Sequence, residues 1–289
     1  MLVAPPSFEY VRPESIQDAL RELRRDGAMV LAGGTDLVTM RAQGQIAPVV
    51  LVDVKHIGEM NAIQTRTDAV HVGAAATMAA MVAASPSGIG AVLDGAGLIG
   101  SAQIRNRATV VGNVARASPA GDTLPGLLVH GATVLIASDS QARTTPIAEF
   151  WTGPGQTTLA GAELITGLMI PRGSSASAYA RMTYRAWMDL AVVGVAARLD
   201  LNGDMCTGAA IALGGAAPTP ILVPSASEVL VGSRVETGAI ADAADRVAAA
   251  ARPITDVRGS AEFRRNVIRP LASRVIARAL DRARTSSSR

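Results

Sequence analysis

An apolar run ends in two adjacent glycines and passes at once into a Thr-Asp pair: Val30-Leu31-Ala32-Gly33-Gly34-Thr35-Asp36-Leu37. Paired glycine is costly in chain entropy, so it marks a tight backbone geometry or a close approach of backbone to something else. Thr and Asp favour helix N-caps. Strand, glycine turn and capped helix together make a place where bare N–H groups meet a phosphate. They equally make an ordinary strand-to-helix turn, and the local pattern leaves both open.

The chain of 289 residues is long enough for two domains or one large one. Apolar residues make up 49%, enough for a sizeable core, but aromatics only 3%, so packing relies on Ala, Val, Leu and Ile. No apolar run approaches the roughly 18 residues of a membrane span. The N-terminal segment has neither a basic nor a continuous apolar region of the secretory kind, so a cytoplasmic location is expected. Cys206, the sole cysteine, lies in an apolar strand-like context and reads as a small core residue. His56, His71 and His130 are isolated. These residues supply neither the four thiolates of an iron–sulfur cluster nor a structural zinc set, and no nucleophile–base pair is legible. From Arg252 onwards ten Arg face only Asp256, Glu262 and Asp281. Without interleaved aromatics for base stacking, this reads as a solvated or partner-facing helix surface, not a nucleic-acid site.

Along the chain, Ser15 caps a helix ended by Gly27, and "AMVLAG", a short helix over 36–41 and "PVVLVDV" follow. This opening reads as a small β-α-β-α-β unit, its last strand buried on both faces. A second unit begins near Asn61, with the strand "AVHVGAAAT", a helix capped by Thr77 and another over 89–101. The stretch "RNRATVVGNVARASPAGDTLPGLLVHG" is poor in regular pattern and reads as a long loop, followed by the strands "ATVLIAS" and "AELITGLMIP". "RGSSASA" reads as a linker. Three strand-like runs come next, with an Asn202-Gly203 hairpin signal, then helices over 236–250 and 260–284, the latter expected to break or kink at Pro270. Strands followed by helices suggest an α+β second domain.

The long loop carries Thr109-Val110-Val111-Gly112-Asn113 and then Ser118 and Asp122. A loop rich in Thr, Gly, Asn, Ser and Asp inside a compact domain is more often functional than idle. It offers amides, hydroxyls and one carboxylate, which suits holding a phosphate-bearing ligand better than acid–base bond breaking. In this order, "AGGTDL" and "IRNRATVVGN…ASPAGD" resemble the FAD-binding medium subunit of the molybdenum hydroxylases, the xanthine dehydrogenase and carbon monoxide dehydrogenase family. "PPSFEYVRPESIQDAL", "ELITGLMIP", "RMTYRAWMDLAVVGVAA", "ALGGAAPTP" and "AEFRRNVIRPLASRVIARAL" extend the likeness over almost the whole chain.

The resemblance implies an α+β protein with two parts. Residues 1–175 form a two-part FAD-binding domain of the vanillyl-alcohol-oxidase (PCMH) type, with subdomains of about 1–57 and 58–175. Residues 176–289 form a C-terminal domain with a three-stranded antiparallel sheet and helices. It places Ala32, Gly33, Gly34, Thr35 and Asp36 in a first pyrophosphate loop, flanked by Val30, Leu31 and Leu37. Thr109, Val110, Val111, Gly112 and Asn113 match a second such loop, and Ser118 and Asp122 the loop that holds sugar or ribityl hydroxyls. Ile165 and, less directly, Ile99 match apolar cofactor-lining positions, and Arg181 a basic residue near the flavin that favours its reduced anionic form. Val111 departs from the family's Thr-x-Gly-Gly-Asn; a β-branched residue avoids positive φ, so it requires either extended backbone or a loop set farther from the cofactor.

By the same resemblance no residue here is catalytic or a metal ligand. A large partner subunit with Mo-pterin oxidises a substrate of the N-heteroaromatic, purine, CO or aldehyde kind. A small partner with two [2Fe-2S] clusters relays electrons to FAD, and an external acceptor removes them; a dimer of heterotrimers is the expected assembly. Rival readings are a stand-alone flavin oxidase acting on an alcohol or sugar, and a scaffold subunit that has lost its flavin.

Overall fold

The computed structural model describes residues 7–172 and 176–287. The opening unit is as expected. Strands β1 (Glu9–Val11), β2 (Ala28–Leu31) and β3 (Val50–Asp53) alternate with helices α1 (Ile16–Leu23) and α2 (Leu37–Ala42). The three strands form a parallel sheet in the order β1-β3-β2. Strand β3 is central and buried at every position, which its unbroken apolar run requires. Ser15 caps α1 by accepting the Asp18 N–H at 3.1 Å.

Two short 3₁₀ turns, Val54–His56 and Gly58–Asn61, lead into β4 (Ile63–Thr65) and β5 (Ala69–Gly73), then α3 (Met78–Ala84) and α4 (Gly90–Leu98). Thr77 caps α3 through the Ala80 N–H. The stretch expected to be a long loop begins at the last residue of α5 (Ala102–Arg105) and instead carries α6 (Val110–Arg116) and α7 (Leu124–Val129). Helices of six and seven residues are too short to print a 3.6-residue apolar period, and burial of Val110, Val111, Val114 and all of α7 holds them in place. Strand β6 (Thr133–Ala137), β7 (Ala142–Pro146), α8 (Ile147–Phe150), β8 (Trp151–Gly153), β9 (Gln156–Thr157) and β10 (Leu164–Pro171) follow. Strands β8 and β9 pair alone; the others complete a five-stranded antiparallel sheet, β4-β5-β10-β6-β7.

Residues 173–175 of the expected linker lie outside the described residues, and its last three residues already belong to β11 (Ala176–Met182). With β12 (Val193–Asn202), β13 (Met205–Gly214) and β14 (Ile221–Leu222), this strand forms a four-stranded antiparallel sheet where three strands were expected. The extra member has two residues, too few for an alternation to show. Gly203, at φ +57°, turns the β12–β13 hairpin. Helices α9 (Pro224–Leu230), α10 (Thr237–Ala250) and α11 (Ala261–Ser287) cover this sheet. Helix α11 runs through Pro270 without the break that was one of the two expected outcomes there. Ile268, Leu271, Ala272, Val275, Ile276 and Ala279 are buried along it, and that burial outweighs the one hydrogen bond proline removes.

Two apolar cores result. The first fills the space between the two N-terminal sheets and their helices, and it takes in Tyr179, Ala196 and Ala212 from the C-terminal sheet. The second lies between that sheet and α9–α11 and includes Cys206, as expected. Between them, Asp94 of α4 accepts hydrogen bonds from the Tyr179 N–H (3.0 Å), from Arg282 (2.8 and 2.9 Å) and from Arg278 (3.2 Å). Part of the C-terminal arginine surplus is thus intramolecular. Among the described residues no helix is long and apolar enough to cross a membrane.

Candidate functional site

The paired glycines sit where β2 gives way to α2. Gly34 has φ +77°, a left-handed conformation that a Cβ disfavours. Gly33 is glycine for another reason: a Cβ there would overlap the Arg107 carbonyl oxygen and lie 2.9 Å from the Ala108 Cα. The close approach implied by the sequence is therefore made by the strand-to-helix turn to the backbone just before Thr109. Asp36 makes no capping hydrogen bond, contrary to the capped-helix reading. Its exposed carboxylate faces Arg116 at 3.6 Å, a second tie between the two segments. Among the described residues, the N–H groups of Gly33, Gly34, Thr35 and Asp36 have no protein acceptor. Val30 and Leu31 end the strand leading in, and Leu37 opens the helix leading out.

The second segment is built differently from the loop expected there. Thr109 is the N-cap of α6: its Oγ1 accepts the Gly112 N–H at 2.9 Å and its carbonyl the Asn113 N–H at 3.1 Å. Those two amides are engaged within the helix end, so the segment expected to be a loop is a capped helix start. Val111 is not extended. It lies in the first turn of α6 with its side chain in the core, where no positive φ is needed.

From α6 the polar contacts continue. Thr123 donates to Asn113 Oδ1 at 2.7 Å, and the Ser118 carbonyl accepts the Gly121 N–H at 3.0 Å. Asp122 is 5% exposed and Arg181 4% at their side chains. Asp122 accepts from the Tyr179 hydroxyl at 2.8 Å and, in a short ion pair, from Arg181. Burial pushes the Asp122 carboxyl up to about 6, with Arg181 and Tyr179 pulling the other way. The second nitrogen of the Arg181 guanidinium, Nη2, is buried without a hydrogen-bond partner. Gly194, across from Arg181, lacks the Cβ that would overlap the Tyr179 hydroxyl. Ile99 closes α4 and its carbonyl accepts from Arg105 at 3.0 Å; Ile165, at the irregularity in β10, is buried in the first core.

The structure thus brings Gly33–Asp36, Thr109–Asn113, Asp122 and Arg181 into one continuous run. Lys55, Arg116, Thr123 and Tyr179 belong to it and escape the sequence reading, although Tyr179 stands two residues before Arg181 on the same strand face and Lys55 two residues after Asp53. The chemistry of the donor set matches a diphosphate. Four amides await acceptors, a glycine pair keeps side chains out, and the nearby Asp36 carboxylate is turned to Arg116. Among the described residues no cluster of His, Cys, Asp and Glu could hold a metal ion.

Residues 6–173 match the family described as the FAD binding domain in molybdopterin dehydrogenase, and residues 177–279 the CO dehydrogenase flavoprotein C-terminal domain. The carbon monoxide dehydrogenase medium chain of Afipia carboxidovorans is 31% identical over 97% of this chain and 99% of its own length. The glyceraldehyde dehydrogenase medium chain of Sulfolobus acidocaldarius is 28% identical over 92% of this chain and 96% of its own. Among solved structures, quinoline 2-oxidoreductase from Pseudomonas putida 86 superposes with a TM-score of 0.91 at 27% identity, covering 97% of this chain and 99% of that one.

Proposed function

This chain belongs to the family of FAD-binding subunits of molybdenum hydroxylases, and on that footing we propose that the run from Gly33 to Arg181 is its FAD site. The observation that carries the reading is the set of four unpaired N–H groups at Gly33–Asp36, held against the segment that leads into Thr109. These amides would bind the diphosphate, with Arg116 drawing the Asp36 carboxylate aside. Asp122 and Ser118 would face the sugar or ribityl hydroxyls. Asp122 also anchors Arg181 and partly neutralises it, so the charge Arg181 presents to the flavin depends on the ionisation of Asp122.

When bound, FAD supplies the redox chemistry, taking electrons from [2Fe-2S] clusters of a small partner and yielding them to an external acceptor. The substrate, of the N-heteroaromatic, purine, CO or aldehyde kind, is oxidised at Mo-pterin in a large partner, within a cytoplasmic dimer of heterotrimers. The relatives are themselves designated medium chains, which supports this division of labour over a stand-alone flavin oxidase. The test is to isolate the chain with the partners that accompany it and to assay flavin, molybdenum and iron together. All three are expected in one complex, with FAD remaining on this chain after dissociation. Flavin without either metal would overturn the multi-subunit reading, and a colourless chain would overturn the FAD site.

A further inference from the structure

We infer that Lys55 is a positioning residue for the diphosphate-binding turn, fixing the direction of the Gly33 N–H through the Ala32 carbonyl. This rests on the FAD-site reading above and goes one layer beneath it. Lys55 lies in the 3₁₀ turn after β3, adjacent to β2 in the same sheet. Its Nζ donates to the Ala32 carbonyl at 3.1 Å and pairs with Asp53 Oδ1 at 2.6 Å. Asp53 is buried (side chain 1% exposed), accepts the Lys55 main-chain N–H at 3.0 Å, and receives the Tyr10 hydroxyl on its other oxygen. Burial raises the Asp53 carboxyl, but Lys55 and Tyr10 outweigh it and hold the group below the usual carboxylate range. Lys55 is thus tethered at a single place by an ionised, immobile partner.

The carbonyl of Ala32 and the N–H of Gly33 belong to one peptide unit. That unit is planar and trans, so its C=O and N–H point in opposite directions. A lysine holding the carbonyl therefore turns the Gly33 N–H away from the Asp53–Lys55 pair, and its charge polarises the unit so that the N–H is a better donor. On the remaining side Gly33 is stopped by the backbone of Arg107 and Ala108. The amide is fixed before any anion arrives, and a donor oriented in advance loses little entropy on binding.

The full-length chain carrying Lys55→Met should bind FAD about tenfold or more weakly than the native chain, as loss of a charged hydrogen bond at this turn implies. Affinity is read from flavin fluorescence, and the ³¹P resonances of the bound diphosphate report the amides directly. Those resonances should move in Lys55→Met and stay in place in Lys55→Arg. Lys55→Gln is read the same way if the Met variant does not fold. Native affinity and native ³¹P positions in the Met or Gln variant, with only thermal stability lowered, would reduce Lys55 to a brace for Asp53 and overturn the inference alone. A native chain that binds no FAD would overturn the site itself, and this inference with it.

Discussion

At the residue scale the informative groups are buried and ionisable. Asp122, raised to about 6, holds a proton more firmly in the fold than in the unfolded chain. Its stabilising share is complete below the ordinary Asp range near 4 and is lost as pH climbs through about 6. His130 has the opposite sign: burial lowers it to about 4, so its neutral form favours the fold as pH rises from about 4 to 6.5. Asp53, Asp18 and Asp245, held low by their partners, contribute a rise at lower pH that is complete above the ordinary Asp range near 4. Asp122→Asn removes the one opposing carboxylate of this set, so stability should climb more steeply between pH 4 and 6 than in the native chain. Urea midpoints measured across that range check the slope, independently of the overall loss caused by leaving Arg181 without its counter-ion.

Among the elements, α6 shows how a short helix is made where the sequence looks structureless. Its cap, Thr109, is buried and accepts the Gly112 N–H. Thr109→Ala should lower stability by about 1 kcal/mol, while Thr109→Ser keeps most of it, both measurable by chemical denaturation. The parallel unit, the Ser15 and Thr77 caps and the β12–β13 hairpin were legible because each depends on neighbours within a few residues. So was the glycine pair, whose unusual chemistry stands out in an apolar context. Helices α6 and α7 and the two-residue β14 were hidden because they are short and are held by distant segments. Lys55 was hidden for the same reason: its partner carbonyl lies 23 positions away in sequence.

For the molecule as a whole, Asp94 matters most. One carboxylate, 14% exposed, receives an N–H of β11 and two arginines of α11 across the junction of the two cores. Asp94→Ala removes an acceptor from Arg282, Arg278 and the Tyr179 N–H, and losing hydrogen bonds to a charged group at this partly exposed junction costs about 1–3 kcal/mol. The expected outcome is a lower denaturation midpoint and earlier proteolytic cleavage between β10 and β11. A variant as resistant as the native chain would show that apolar packing alone joins the halves.

That junction is also where Tyr179, Ala196 and Ala212 enter the first core from the far side of the sequence. The ribosome makes every strand of the N-terminal sheets before it makes those three residues. Until β13 is complete that core lacks three of its members, so the N-terminal half cannot finish packing before the C-terminal sheet is in place.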